Sequence, residues 1–138
     1  MTENDISSAT GASGTIISVD AMGGDQGPAA VVAGLCASAI KNPELNFILH
    51  GPKGELETLV LRRRELAGRV EIRDTTGVVS MDDKPSHVMR NGKGTSMWSA
   101  IEALRDGDAS AVVSCGNTGA LMALSMIRLR KLPGVNRP

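Results

Sequence analysis

Aromatic residues are almost missing from this sequence: one phenylalanine, Phe47, one tryptophan, Trp98, and no tyrosine in 138 residues. A core must therefore be assembled from Val, Ile, Leu, Met and Ala. Net charge is missing too, because 15 Lys and Arg are balanced by 15 Asp and Glu. Without a global basic field, non-specific binding to nucleic acid or to an anionic membrane is not expected. Cysteine is limited to Cys36 and Cys115, far apart and outside any C-x-x-C pattern. That usage reads as free thiols in a reducing cytosol, with neither a disulfide nor a metal site. No apolar run reaches 18 residues, and the first residues, MTENDISSATGASG, are polar and acidic where a signal peptide would be basic and then apolar. The expectation is a cytoplasmic protein.

What remains is an ordinary globular composition, 41% hydrophobic and 22% charged, in a chain of about one domain's length. Residues 1–14 lack hydrophobic periodicity and read as a disordered leader, so structure is expected from Thr15 onward. Ile16 to Val19 form a β-branched run ending in Asp20 and the glycines Gly23 and Gly24, which predicts a buried strand entering a loop. Pro28 then suits a first helical turn, and Val32, Leu35, Cys36, Ala39 and Ile40 recur at helical spacing up to Asn42 and Pro43. Phe47 to Leu49 predict a second strand, and Leu56, Leu59 and Val60 a second helix that Gly68 ends. Arg69 to Asp74 and Ala109 to Ser114 predict two further strands, the last preceded by a helix carrying Met97, Ala100, Ile101 and Leu104. Strands alternating with helices imply right-handed crossovers, a mostly parallel sheet and helices on both faces: a three-layer α/β sandwich. A final helix, from about Thr118 to Lys131, is apolar on nearly every side and so is expected to be buried all round. Four strands offer limited cover for it, which predicts the front part of a larger, here truncated, fold, or support from a second chain.

In an open parallel sheet, ligands bind at the loops that leave the strand carboxyl ends. Three such loops stand out. Ser114-Cys115-Gly116-Asn117-Thr118-Gly119 passes from strand to helix, with Asn117 or Thr118 suited to capping and free N–H groups at the helix start suited to an anion. The same residues would also serve an ordinary capped helix. Thr75 to Ser96 is long for a connection in a compact domain, as functional loops are. It carries Arg90 and Lys93 beside Gly92 and Gly94, and Thr95 and Ser96 open the next helix; the alternative is a solvated basic loop. The loop after strand one carries Asp20, Gly23, Gly24 and Asp25, either to orient a basic group or a water, or to cap the glycine turn. Nucleotide motifs fail. Gly23-Gly24-Asp25-Gln26-Gly27 lacks the G-x-G-x-x-G spacing, and Gly94 follows Lys93 where a P-loop needs Ser or Thr. His50 and His87 are isolated and read as structural or exposed, Cys115 reads as a small thiol or a helix-start nucleophile, and Arg62 to Arg64 as a wet helix face or a contact for an acidic partner.

The segments Val19-Asp20-Ala21-Met22-Gly23-Gly24-Asp25, Asp83-Lys84-Pro85-Ser86 with Arg90 and Thr95-Ser96-Met97, and Val112 to Met122 resemble the PlsX family of bacterial phosphate acyltransferases. Pro133 to Pro138 resembles a further family segment. The resemblance runs from about residue 15 to the end, so residues 15–138 are expected to be the N-terminal part of a single α/β acyltransferase domain, shorter than a full-length member. It implies a fold similar to phosphate acetyltransferases and isocitrate-dehydrogenase-like proteins. It also implies a cytoplasmic homodimer, free or peripheral at the membrane, that converts acyl-ACP and inorganic phosphate into acyl phosphate and free acyl carrier protein, without metal or cofactor. The product would pass to a membrane glycerol-3-phosphate acyltransferase. On this reading Asp20, Asp25, Lys93 and Asn117 are the catalytic candidates, and Gly23, Gly24, Arg90, Ser96, Gly116, Thr118 and Gly119 the substrate-binding ones. A CoA-dependent phosphotransacylase, and an inactive fragment that only binds a partner, are the alternatives.

Overall fold

A computed structural model describes residues 14–136. The expected leader, apart from Gly14, lies outside the described residues, as do the last two positions of the closing segment. Four strands alternate with helices: β1 (Thr15–Asp20), α1 (Pro28–Lys41), β2 (Leu45–Gly51), α2 (Lys53–Leu61), a single 3₁₀ turn (Arg64–Leu66), β3 (Val70–Asp74), α3 (Pro85–Asn91), α4 (Ser96–Arg105), β4 (Ala111–Ser114) and α5 (Thr118–Arg128). The strands lie in the order β3-β2-β1-β4, all parallel. Registers pair Asp20 with His50 and with Ser114, and Gly51 with Asp74, so all four carboxyl ends lie along one edge.

Alternation along the strands divides the core into layers, because successive side chains point to opposite faces. Val19, Phe47 and Leu49 pack with Val32, Leu35, Cys36 and Ala39 of α1 and with Leu56 of α2. On the other face Ile48 meets Ala103 of α4, and Val112 packs with Met97, Ile101, Ala120 and Leu124 of α4 and α5. The sheet is thus sandwiched between two helical layers. Arg69 closes one end of it: its guanidinium donates to the carbonyls of Ala39 and Asn42, which the end of α1 leaves without intrahelical partners, and to that of Leu45 at the start of β2.

Two expectations change. The last helix stops at Arg128, three residues early, because Leu129 turns into extended backbone while still packing on the α4–α5 cluster. It is also not buried all round. Ala120 and Leu124 are fully covered, whereas Met122, Met126 and Ile127 are 48%, 36% and 45% exposed, because the described residues supply cover on one side only. The long connection after β3 has structure of its own. It contains α3, and Gly77 bridges to Thr95 as if adding a short parallel rung.

Candidate functional site

The chain steps from β1 to β2 to β3 in one direction and then returns to place β4 on the far side of β1. The order therefore reverses between β1 and β4, and the loops leaving those two strands part to opposite faces. A crevice at such a reversal is where open α/β sheets take their ligands.

Asp20 ends β1 at this point and is 3% exposed. Its Oδ1 accepts from the Ser96 hydroxyl at 2.6 Å and from the Met22 N–H at 3.1 Å, and its Oδ2 accepts from the Ser114 hydroxyl at 2.9 Å. Ser114 Oγ in turn accepts the Gly116 N–H at 3.1 Å. One buried carboxylate thus ties together the ends of β1 and β4 and the start of α4. Hydrogen bonds to a charged acceptor are the stronger kind, so this junction is firm. The glycines are required by its tightness: a Cβ on Gly23 would come within 2.8 Å of the Gly116 nitrogen and of Ser114 Oγ, and within 2.9 Å of Asp20 Oδ2. Gly24, at φ 101°, sits where side chains are strained, with the Cys115 carbonyl close by.

Asn117 caps α5, its Oδ1 accepting the Ala120 N–H at 3.0 Å. Its Nδ2 donates to the carbonyls of Ser80, Met81 and Asp83, so the same side chain fastens the loop before α3. The N–H groups of Thr118 and Gly119 precede any intrahelical acceptor and carry the positive end of the helix dipole. Thr118 is exposed, and Gly119 is half-buried because the Pro85 ring lies where its Cβ would be, at 3.0 Å. Thr95 caps α4 by accepting the Trp98 N–H.

Of the residues singled out in the sequence, Asp20, Gly23, Gly24, Ser96, Gly116 and Asn117 come together, with Thr118 and Gly119 next to Asn117. Asp25 lies exposed on the rim. Arg90 and Lys93 are exposed, on the last turn of α3 and on the turn before α4, and no hydrogen bond or ion pair joins their side chains to the α5 start among the described residues. The Ser96 hydroxyl donates to Asp20, and the Asn117 amide is held by its own helix and by the loop, so both side chains help to build the crevice. Beside Asp20, Gly24 and Asp25 an apolar groove of about 470 Å³ runs beneath α1, walled by Ile17, Val31, Phe47 and Val113. Among the described residues no cluster of three or more His, Cys, Asp or Glu side chains is arranged for a metal, and no helix is long and apolar enough to cross a membrane.

Sequence reasoning missed Ser114 and a second polar cluster directly beneath the crevice. His50, fully buried, lies between Ser18 and Ser99. Ser18 Oγ–H donates to the Ala100 carbonyl at 2.8 Å, so His50 Nε2–H must donate to Ser18 Oγ at 2.8 Å, and Nδ1 accepts from the Ser99 hydroxyl at 2.7 Å. Burial, helped by the Arg73 guanidinium, pushes the imidazole down from 6.5 to about 4, which keeps it neutral near pH 7. Its partners are 32 and 49 residues away, so only the polar Ser18, Asp20 and His50 at inward positions of hydrophobic strands hinted at it.

The family model described as fatty acid synthesis protein matches residues 15–138. The chain belongs to that family. Proteins named phosphate acyltransferase match it closely: one from Ruegeria sp. is 70% identical over 138 residues, all of this chain and 37% of the relative. One from Roseobacter denitrificans is 76% identical over 123 residues, 89% of this chain and 34% of the relative. One from Paracoccus denitrificans is 70% identical over 125 residues, 91% of this chain and 34% of the relative. The chain therefore spans about a third of the length of these relatives of the fatty acid synthesis family.

Proposed function

We propose that this chain carries the phosphate-binding part of an acyltransferase that makes acyl phosphate from acyl-ACP and inorganic phosphate. The observation that supports it most is the crevice at the reversal of strand order, where Asp20 ties the β1 and β4 ends together and Gly23 approaches Gly116 just before the start of α5. Names of relatives support the reaction class, and the crevice supports this site for its anion.

The reaction joins a phosphate oxygen to a thioester carbonyl carbon. The tetrahedral adduct collapses with cleavage of the C–S bond, and the proton carried by hydrogen phosphate ends on the released thiol. With a thiol pKa of about 8.5, the leaving group needs little acid assistance. Positioning the dianion and stabilising the oxyanion are the main tasks. Thr118 and Gly119 N–H groups, with the Thr118 hydroxyl, hold the phosphate at the helix dipole. Arg90 and Lys93 supply mobile positive charge from the rim. Asp20 accepts no phosphate contact; it fixes Ser96 and Ser114, and with them the two loops. The apolar groove beneath α1 gives room for the hydrocarbon of the donor. The acyl carrier protein, a homodimeric partner, a cytoplasmic setting and hand-over to a membrane glycerol-3-phosphate acyltransferase complete the reading.

Incubating the intact protein with palmitoyl-ACP and phosphate should give acyl phosphate, trapped as hydroxamate, and acyl-CoA should serve poorly as donor. Preference for acyl-CoA would reassign the donor, and no product from either would reject the reaction. Lys93→Met and Arg90→Met should each raise KM for phosphate or lower turnover; unchanged kinetics in both would remove the cations from the site.

A further inference from the structure

The three polar anchors beneath the crevice meet α4 on one stripe. Asp20 binds Ser96, His50 binds Ser99, and Ser18 binds the Ala100 carbonyl, at 2.6, 2.7 and 2.8 Å. Positions 96, 99 and 100 are i, i+3 and i+4, neighbours on one helix face. The anchors themselves are neighbours on one sheet face: Ser18 and Asp20 alternate along β1, and His50 pairs with Asp20 across the ladder. The first turn of α4 is thus seated on the sheet by hydrogen bonds beside the buried Met97, while later turns rest on apolar packing through Ile101 and Ala103. Apolar contact alone tolerates sliding and rotation, whereas a satisfied buried polar network specifies one arrangement.

We infer that His50 is a positioning residue for the crevice, acting through Ser99 on the seat of α4. This rests on the reaction proposed above only for its kinetic readout. His50 touches neither Asp20 nor the α5 start through a hydrogen bond; it fixes the height and rotation of the turn that delivers Ser96 to Asp20. Without it, one of the three anchors is lost, the seat is left to the Ser96–Asp20 and Ser18–Ala100 contacts and the Ser96 N–H bond to the Gly77 carbonyl, and Ser96 is held less firmly at Asp20. Misplacement of about 1 Å in a site of this kind costs on the order of a hundredfold in rate.

The test compares His50→Leu, His50→Gln and Ser99→Ala in the intact protein, with thermal melting, kcat, KM for phosphate and amide exchange at Ser96 and Met97. Ser99 is only half-buried, so its variant keeps the test alive if His50→Leu does not fold. The expected result is a fall in kcat of roughly tenfold to a hundredfold in His50→Leu and Ser99→Ala, with faster exchange at Ser96. His50→Gln, which keeps one N–H and one acceptor, restores most of the rate. Folded variants that keep full kcat and wild-type exchange would overturn the inference, as would losses that follow melting temperature alone with no rescue by Gln. Should the wild-type protein form no acyl phosphate, the reaction fails by itself and exchange judges His50: faster exchange at Ser96 in Ser99→Ala supports the role, and unchanged exchange overturns it.

Discussion

Acidification should destabilise the wild-type fold by about 3 kcal/mol more than it destabilises His50→Gln between pH 7 and pH 4. In the folded protein the imidazole is fully buried and held near 4, with desolvation the main cause and Arg73, its cross-strand neighbour on β3, the second. In the unfolded chain it takes its proton near 6.5. Between those values the unfolded state binds more protons than the folded one, so stability rises with pH through this window and is lost as pH falls through it. A gap of about 2.5 pH units, at about 1.4 kcal/mol per unit, gives about 3 kcal/mol in full, of which about 2 kcal/mol is already lost at pH 5. Gln keeps a donor toward Ser18 and an acceptor toward Ser99 but does not titrate, so carboxylate effects common to both proteins cancel in the comparison. Urea unfolding of the intact protein at half-unit pH steps measures it. Parallel curves for the two proteins would refute the reasoning, since they would mean that His50 takes up its proton equally well in both states.

Other consequences follow from the same contacts. Asp20→Asn presents an N–H₂ to one of two hydroxyls that now donate to a carboxylate, and should cost about 1–3 kcal/mol by denaturant unfolding and lower turnover by on the order of tenfold. Asn117→Ala removes a helix cap and three loop contacts together, for about 2–3 kcal/mol, and should open the segment around Ser80 to Asp83 to limited proteolysis. Gly23→Ala forces a methyl between Gly116 and Asp20 and should lose about 1–3 kcal/mol, whereas Gly34→Ala, an exposed site in α1 with nothing within 4 Å of the added methyl, should gain about 0.5–1 kcal/mol in melting experiments.

The elements of the fold were legible because hydrophobic periodicity is a local signal. Ile16 to Val19 and Phe47 to Leu49 lie within β1 and β2, and the Val32–Ile40 stripe within α1. The ends were less so: Leu129 leaves its helix because tertiary packing, not propensity, sets where it goes. Loop chemistry was half legible. Glycines and caps around Asp20 and Asn117 marked two loops that the fold brings together, since a turn needs particular residue types. What those side chains hold was not, because Ser114 and Ser96 meet Asp20 across 94 and 76 residues of chain. His50 is the clearest case. Alone in a hydrophobic strand it reads as a structural histidine, and only the fold brings Ser18 and Ser99 to its two nitrogens. The apolar outer face of α5 was legible as composition, yet the described residues leave Met122 and Ile127 uncovered.

The account depends most on where orthophosphate binds. A crystal of the intact protein soaked in phosphate should hold the ion at the start of α5, within hydrogen-bond distance of the Thr118 and Gly119 N–H groups, with Lys93 or Arg90 drawn toward it. Phosphate bound away from that helix start, with the Thr118 and Gly119 amides still facing water, would contradict it.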